Sequence, residues 1–86
     1  MTYSVIWKLD AIRQLGLVES SADEPKVVRD AGLRVDFALR RYPKDMGESR
    51  DPGFRLWYED VIGVYYKVDD TAFKVEVLFA GASRRR

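Results

Sequence analysis

From residue 54 onward, aromatic and β-branched residues run in three short stretches, 54–58, 61–68 and 73–79, broken by Glu59-Asp60 and Asp69-Asp70. Such runs between short acidic breaks predict a three-stranded meander. Side chains alternate between the two faces of a strand, so parity sorts them. In the middle strand Ile62, Val64, Tyr66 and Val68 form one apolar row. In the last strand Phe73, Val75, Val77 and Phe79 do the same. In the first of the three, Phe54, Leu56 and Tyr58 match the core. That leaves Arg55, Trp57, Tyr65, Lys67 and Lys74 on the opposite face, with Glu59 and Gly63. The predicted outer face is therefore basic with aromatics interleaved.

Upstream the period changes. Alternation over residues 2–7 puts Tyr3, Val5 and Trp7 on one side of a short strand. Asp10 is placed to cap a helix reaching about Glu19, with Ala11 or Ile12, Leu15 and Val18 at helical spacing. Ser21 to Glu24 has the form of a capping box, with Pro25 in the first turn, so a second helix is expected over 22–41. Its apolar stripe is Val28, Ala31, Val35, Ala38, Leu39 and Tyr42. Pro43 ends it, and residues 43–53 are a loop by composition, long for so small a domain. Residues 80–86 read as a flexible basic tail. The order β-α-α-β-β-β defines an α+β fold. The first strand joins the sheet beside the meander and the helical hairpin packs on one face.

With 86 residues the chain is a single domain, 1–86, large enough to fold without staples. There is no cysteine and no histidine. That removes disulfides, thiolate chemistry, the usual zinc sites and the commonest general base. No metal or cofactor is implied. No apolar run suits a membrane span and the N-terminus lacks the order of a signal peptide, so a cytoplasmic protein is expected. Net charge is +1, split as −1 over residues 1–39 and +2 over 40–86, where the chain closes on three arginines. This is a mild polarity and no basic arm.

The element order resembles that of the RelE/ParE superfamily, small bacterial toxins of type II toxin–antitoxin pairs. The echoes are the opening strand over 3–7, Gly47 to Arg50 with Gly53-Phe54-Arg55 leading into the sheet, the segment Tyr66 to Val68, and the closing run 75–79 with basic residues after it. The resemblance implies a compact toxin neutralised by a cognate antitoxin. RelE-like members cut mRNA on the ribosome, as metal-independent endoribonucleases. ParE-like members inhibit DNA gyrase. A non-toxic relative that only binds a protein partner is the third possibility. Arg55 matches a basic position of the nucleases, Arg84 or Arg85 a basic position after the last strand, and Gly63 stands where those enzymes carry an arginine.

Cleavage by the RNA's own 2′-hydroxyl needs a base, an acid and cations around the phosphate. Without histidine, Glu59, Tyr65 or a lysine must substitute. The candidate catalytic set is Arg55, Tyr65 and Arg84. The candidate nucleic-acid contacts are Arg55, Trp57, Lys67, Lys74, Arg84 and Arg85. Arg55 suits a forked pair with phosphate, and Trp57 and Tyr65 suit stacking on a splayed base. The same residues equally suit plain solvation, a cross-strand pair or the docking of a protein.

Overall fold

A computed structural model describes residues 2–83. The strands are β1 (Ser4–Trp7), β2 (Glu48–Ser49), β3 (Phe54–Glu59), β4 (Ile62–Asp69) and β5 (Lys74–Ala82), and the helices are α1 (Leu9–Ser21) and α2 (Pro25–Arg41). They form one five-stranded sheet in the order β1-β5-β4-β3-β2. β1 joins the meander as expected, parallel to β5, with Val5 opposite Val75 and Trp7 opposite Val77. The α1–α2 hairpin packs on one face.

The core sits between that hairpin and the sheet. Ala11, Val28, Ala31, Val35 and Leu39 face Ile62, Val64, Tyr66, Val75 and Val77, all essentially sealed from solvent. Each large aliphatic side chain buried this way contributes about 1.5–3 kcal/mol. Gly32 lies within this core, and a Cβ there would stand 3.3 Å from a Leu15 methyl, so the glycine lets the two helices approach.

The helix starts differ from expectation. Asp10 is not a cap; it lies in the first turn of α1 after an N-cap at Lys8, where its charge suits the positive end of the helix. The capping box does not form either. α1 runs on through Ser21, and α2 begins at Pro25 after Glu24, which makes no side-chain cap bond. Proline at the first helical position loses no intrahelical bond there, which explains the choice of start.

The meander also departs in two places. Phe73 is in a turn with φ 50°, outside the core and packed on Tyr3 at 5.6 Å between ring centroids. The Asp69 carboxylate accepts from the amides of Thr71 and Ala72 at 3.0 and 3.1 Å, and these bonds shape the turn ahead of Phe73. Further on, the ladder shifts between Tyr65 and Tyr66, so that Tyr65 faces Phe79 while Tyr66 faces Val77. This bulge leaves Leu78 unmatched and turns Phe79 outward, with Ala80 taking the inner position. The Ala80 amide donates to Gln14 Oε1 of α1 at 2.8 Å, so the side chain supplies an acceptor at the sheet margin beyond β1. β5 extends through Ala82, so residues 80–82 are strand and not tail; Arg84 and Arg85 lie outside the described residues. Among the described residues, no helix is long and apolar enough to cross a membrane.

Candidate functional site

The decisive local feature is the turn between β3 and β4. Glu59 pairs with Ile62 across the two residues Asp60 and Val61, and Asp60 takes φ 53°. That register sets Trp57 opposite Val64 and Arg55 opposite Tyr66. Since Ile62, Val64 and Tyr66 point at the helices, Glu59, Trp57 and Arg55 do too. The expected assignment of β3 is therefore inverted. Phe54, Leu56 and Tyr58 lie on the outer face, and Tyr58, assigned to the core by its sequence, is 38% exposed.

Each inward residue of β3 is engaged by the helical side. Trp57 packs against the core and lines a groove with Leu33, Phe37, Ala38 and Met46. Glu59 accepts from Arg34 Nε at 2.9 Å, and Asp60 from Arg34 Nη2 at 3.3 Å, which ties α2 to the turn and raises the Arg34 pKa. Arg55 donates from Nε to the Met46 carbonyl at 2.7 Å and from Nη2 to the Gly47 carbonyl at 3.1 Å. It clamps the loop after α2 and is not presented on the outer face for a phosphate.

Tyr66 completes this clamp. Its hydroxyl donates to the Pro43 carbonyl at 2.7 Å and lies 3.0 Å from that of Met46. Burial pushes the Tyr66 pKa up to about 12, and the Arg55 guanidinium pulls against that shift. At the loop's other margin the Asp70 carboxylate accepts from the Tyr3 hydroxyl at 2.6 Å and from Lys44 Nζ at 3.2 Å. Those two bonds hold the Asp70 pKa below the ordinary carboxylate value. The segment 43–49 is thus fastened at several points, and its end pairs with β3 as β2, Glu48 opposite Leu56 and Ser49 opposite Arg55.

Arg55→Ala should cost about 1.5–3 kcal/mol, the range for hydrogen bonds to a charged group. Amide exchange should quicken over residues 45–48. Urea melts together with site-resolved exchange check this, and unchanged protection of the loop would contradict the clamp.

The outer face is an aromatic ladder. Phe54 and Tyr65 stack at 5.6 Å with 13° between planes, and Tyr65 stacks on Phe79 at 6.3 Å. Lys67 Nζ lies 5.6 Å from the Phe54 ring centroid, opposite Phe54 in the ladder. Tyr58 covers Gly63: a Cβ at 63 would come within 2.9 Å of two Tyr58 ring carbons. Any side chain at that place, an arginine included, would require the Tyr58 ring to move. Leu56, Tyr58, Gly63, Tyr65 and Phe79 line a shallow depression of about 200 Å³.

Of the expected outer set, then, Tyr65, Lys67 and Lys74 share a face, while Arg55 and Trp57 lie through the sheet from them. Glu76, opposite Lys67, reduces the positive character of the outer face. Phe54, Tyr58 and Phe79 were missed as outer residues. The signal that finds Phe54 and Tyr58 is the short Asp60-Val61 turn, which carries parity from β4 back into β3; nothing in the local pattern marks the bulge. Among the described residues, no cluster of acidic side chains is arranged to hold a metal ion.

No family model matches this sequence, and no curated protein matches it. Solved structures do. The toxin–antitoxin complex RelBE2 of Mycobacterium tuberculosis aligns over 96% of this chain and all of its own, with TM-score 0.77 at 22% identity. The chromosomal ParDE toxin–antitoxin system of P. aeruginosa aligns over 95% and 97%, with TM-score 0.74 at 17% identity. The isolated RelE toxin of E. coli aligns over 98% and 87%, with TM-score 0.68 at 14% identity. The chain has the fold of the RelE/ParE toxins, with strand, helical hairpin and meander in their order and at nearly full length.

Proposed function

We propose that this chain is the toxin of a type II toxin–antitoxin pair, neutralised by a cognate antitoxin, and that it arrests growth by binding a protein target through its outer sheet face. In this reading it is ParE-like and the target is DNA gyrase. The fold supports the toxin class. The observation that carries the choice of mechanism is the outer face itself: a ladder of Phe54, Tyr65 and Phe79 with Tyr58 beside it, where β3, β4 and β5 contribute no arginine and Arg50, at the margin opposite Phe54, pairs with Glu48. Stabilising a phosphorane-like transition state needs clustered cations. Here Arg55 is committed to loop carbonyls on the other side, and Tyr58 fills the place above Gly63. Exposed aromatics on a rigid sheet are instead what protein interfaces use at their centres.

A second reading, cleavage of ribosome-bound mRNA, draws on Tyr65 flanked by Phe54 and Lys67. Those side chains suit base stacking beside a cation. Tyr65 is then the acid–base candidate, with Lys67, Lys74, Arg84 and Arg85 toward the phosphates.

Tight induction in a bacterial culture separates the readings. The wild type should arrest growth, trigger an SOS response and inhibit supercoiling by purified gyrase, with mRNA ends unchanged. Tyr65→Ala should weaken gyrase inhibition at least tenfold while remaining folded. Codon-level mRNA cuts with supercoiling intact would transfer the site to RNA. Normal growth with folded protein present would leave only the non-toxic, partner-binding relative.

A further inference from the structure

The flank of the molecule at the β1 margin carries an apolar helix face that the chain does not cover. α1 buries Ala11 and packs Leu15 and Val18 against the core. On its other side Leu9, Ile12 and Leu17 are 60%, 53% and 67% exposed. Gly16 lies among them, also exposed, and a Cβ there would meet nothing within 4 Å. Glycine inside a helix costs about 1 kcal/mol against alanine. Gly32 has a reason in the Leu15 methyl beside it; the chain's own packing gives none for Gly16. We infer that this face of α1 docks on the same face of a second copy, antiparallel about a two-fold axis near Ile12, so that the protein forms a homodimer in solution. The inference does not depend on the toxin reading.

Charge selects that occupant. Lys26, Arg29, Arg34 and Arg40 on α2 each have a carboxylate partner within the chain. Asp10 and Arg13 on α1 are exposed and have no ion-pair partner among the described residues. They stand three residues apart, so they share one side of the helix. A two-fold contact sets residue i of one copy on residue j of the other, and j on i. About an axis between residues 11 and 12, Asp10 of each copy meets Arg13 of the other, and both ion pairs form together. The same register sets the two Ile12 side chains against each other at the axis. It carries Leu17 beyond the partner's Leu9 toward β1, where Ile6 is 43% exposed. Gly16, without a side chain, lets the two backbones close. A partner of one sign of charge would answer only one of Asp10 and Arg13; a second copy answers both. α1 has 13 residues and a length of about 20 Å, which suits a small interface and a micromolar dimer. The contact sits at the sheet margin and leaves the outer face of β3 and β4 open in both copies.

Sedimentation velocity of the purified full chain over a concentration series tests this. The wild type should pass from the chain mass to twice that mass with a dissociation constant of about 1–100 μM. Ile12→Glu with Leu17→Glu should keep its circular dichroism and associate at least a hundredfold more weakly. Gly16→Leu should raise the melting temperature of the monomer, because leucine favours helix, and still weaken association at least tenfold. Asp10→Arg and Arg13→Asp should each self-associate about tenfold more weakly, since each sets like charges together. Mixed with one another, they should associate as tightly as the wild type, because the mixture restores opposite charges at both contacts. A wild type that stays monomeric would overturn the dimer. Unchanged association of the Ile12 and Leu17 double variant would move the interface off α1 and overturn it equally. A mixture no tighter than its components would overturn the antiparallel pairing. A monomeric chain whose α1 amides gain exchange protection only on adding the protein encoded beside it would give the face to that protein and overturn the dimer as well. Growth arrest is measured separately, so failure here leaves the toxin reading in place.

Discussion

Replacing Tyr66 by alanine should remove about 3–5 kcal/mol of stability, the range for truncating a buried aromatic. A domain of this size has little more than that to lose. Tyr66 is fully buried in the middle of β4 and its hydroxyl reaches the loop after α2. The ring fills the core and the hydroxyl satisfies the Pro43 carbonyl, so alanine opens a cavity and leaves that acceptor unpaired. Tyr66→Phe separates the two contributions. It keeps the ring and should cost about 1–3 kcal/mol. Urea denaturation of the three proteins measures both, and a phenylalanine variant as stable as wild type would mean that the hydroxyl bond contributes nothing net.

The same residue predicts alkaline sensitivity. The folded pKa is raised to about 12 from an ordinary 10.0. Below pH 10 the proton is held in both states and the stabilisation is complete. Between the two values the unfolded chain sheds its proton first, so stability falls as pH rises. The full window is worth about 2–3 kcal/mol. Tyr66→Phe should remove this slope, which a series of melts between pH 8 and 12 will display.

Gly47→Ala is the second large effect. Gly47 takes φ 65°, and a Cβ there would overlap the Leu56 carbonyl oxygen and stand 2.7 Å from Trp57 Cβ. The left-handed backbone alone costs about 1 kcal/mol for a non-glycine residue. The clash is with backbone, which cannot rotate away. Residues 43–49 must then lift off β3, and the Arg55 and Tyr66 bonds stretch with them. A loss of about 2–4 kcal/mol is expected, the sum of strain and broken clamp. Gly53→Ala is the control, since it shares a positive φ but meets its nearest atom at 3.5 Å. It should cost about 1 kcal/mol. Equal losses from both would show that backbone strain alone matters at 47.

Element order was legible in the pattern because each element carries its own period. The row Ile62, Val64 and Tyr66 is apolar at every second position, and Val28, Ala31, Val35 and Leu39 recur at helical spacing; burial needs no more information than that. Absence of cysteine and histidine was likewise decisive for excluding disulfides and histidine chemistry. The face of β3 was not legible. Phe54, Leu56 and Tyr58 are more apolar than Arg55, Trp57 and Glu59, and local hydrophobicity chose the wrong row. The short Asp60-Val61 turn fixed the register, and α2 and the loop gave the less apolar row its partners: Arg34 for Glu59, the Met46 and Gly47 carbonyls for Arg55, the groove for Trp57. Phe79 was lost for a related reason. A bulge inserts one residue, and each later side chain changes face. Periodicity is a property of the chain alone and is read from it directly; register depends on which backbone groups find partners across the sheet, and only the tertiary structure decides that.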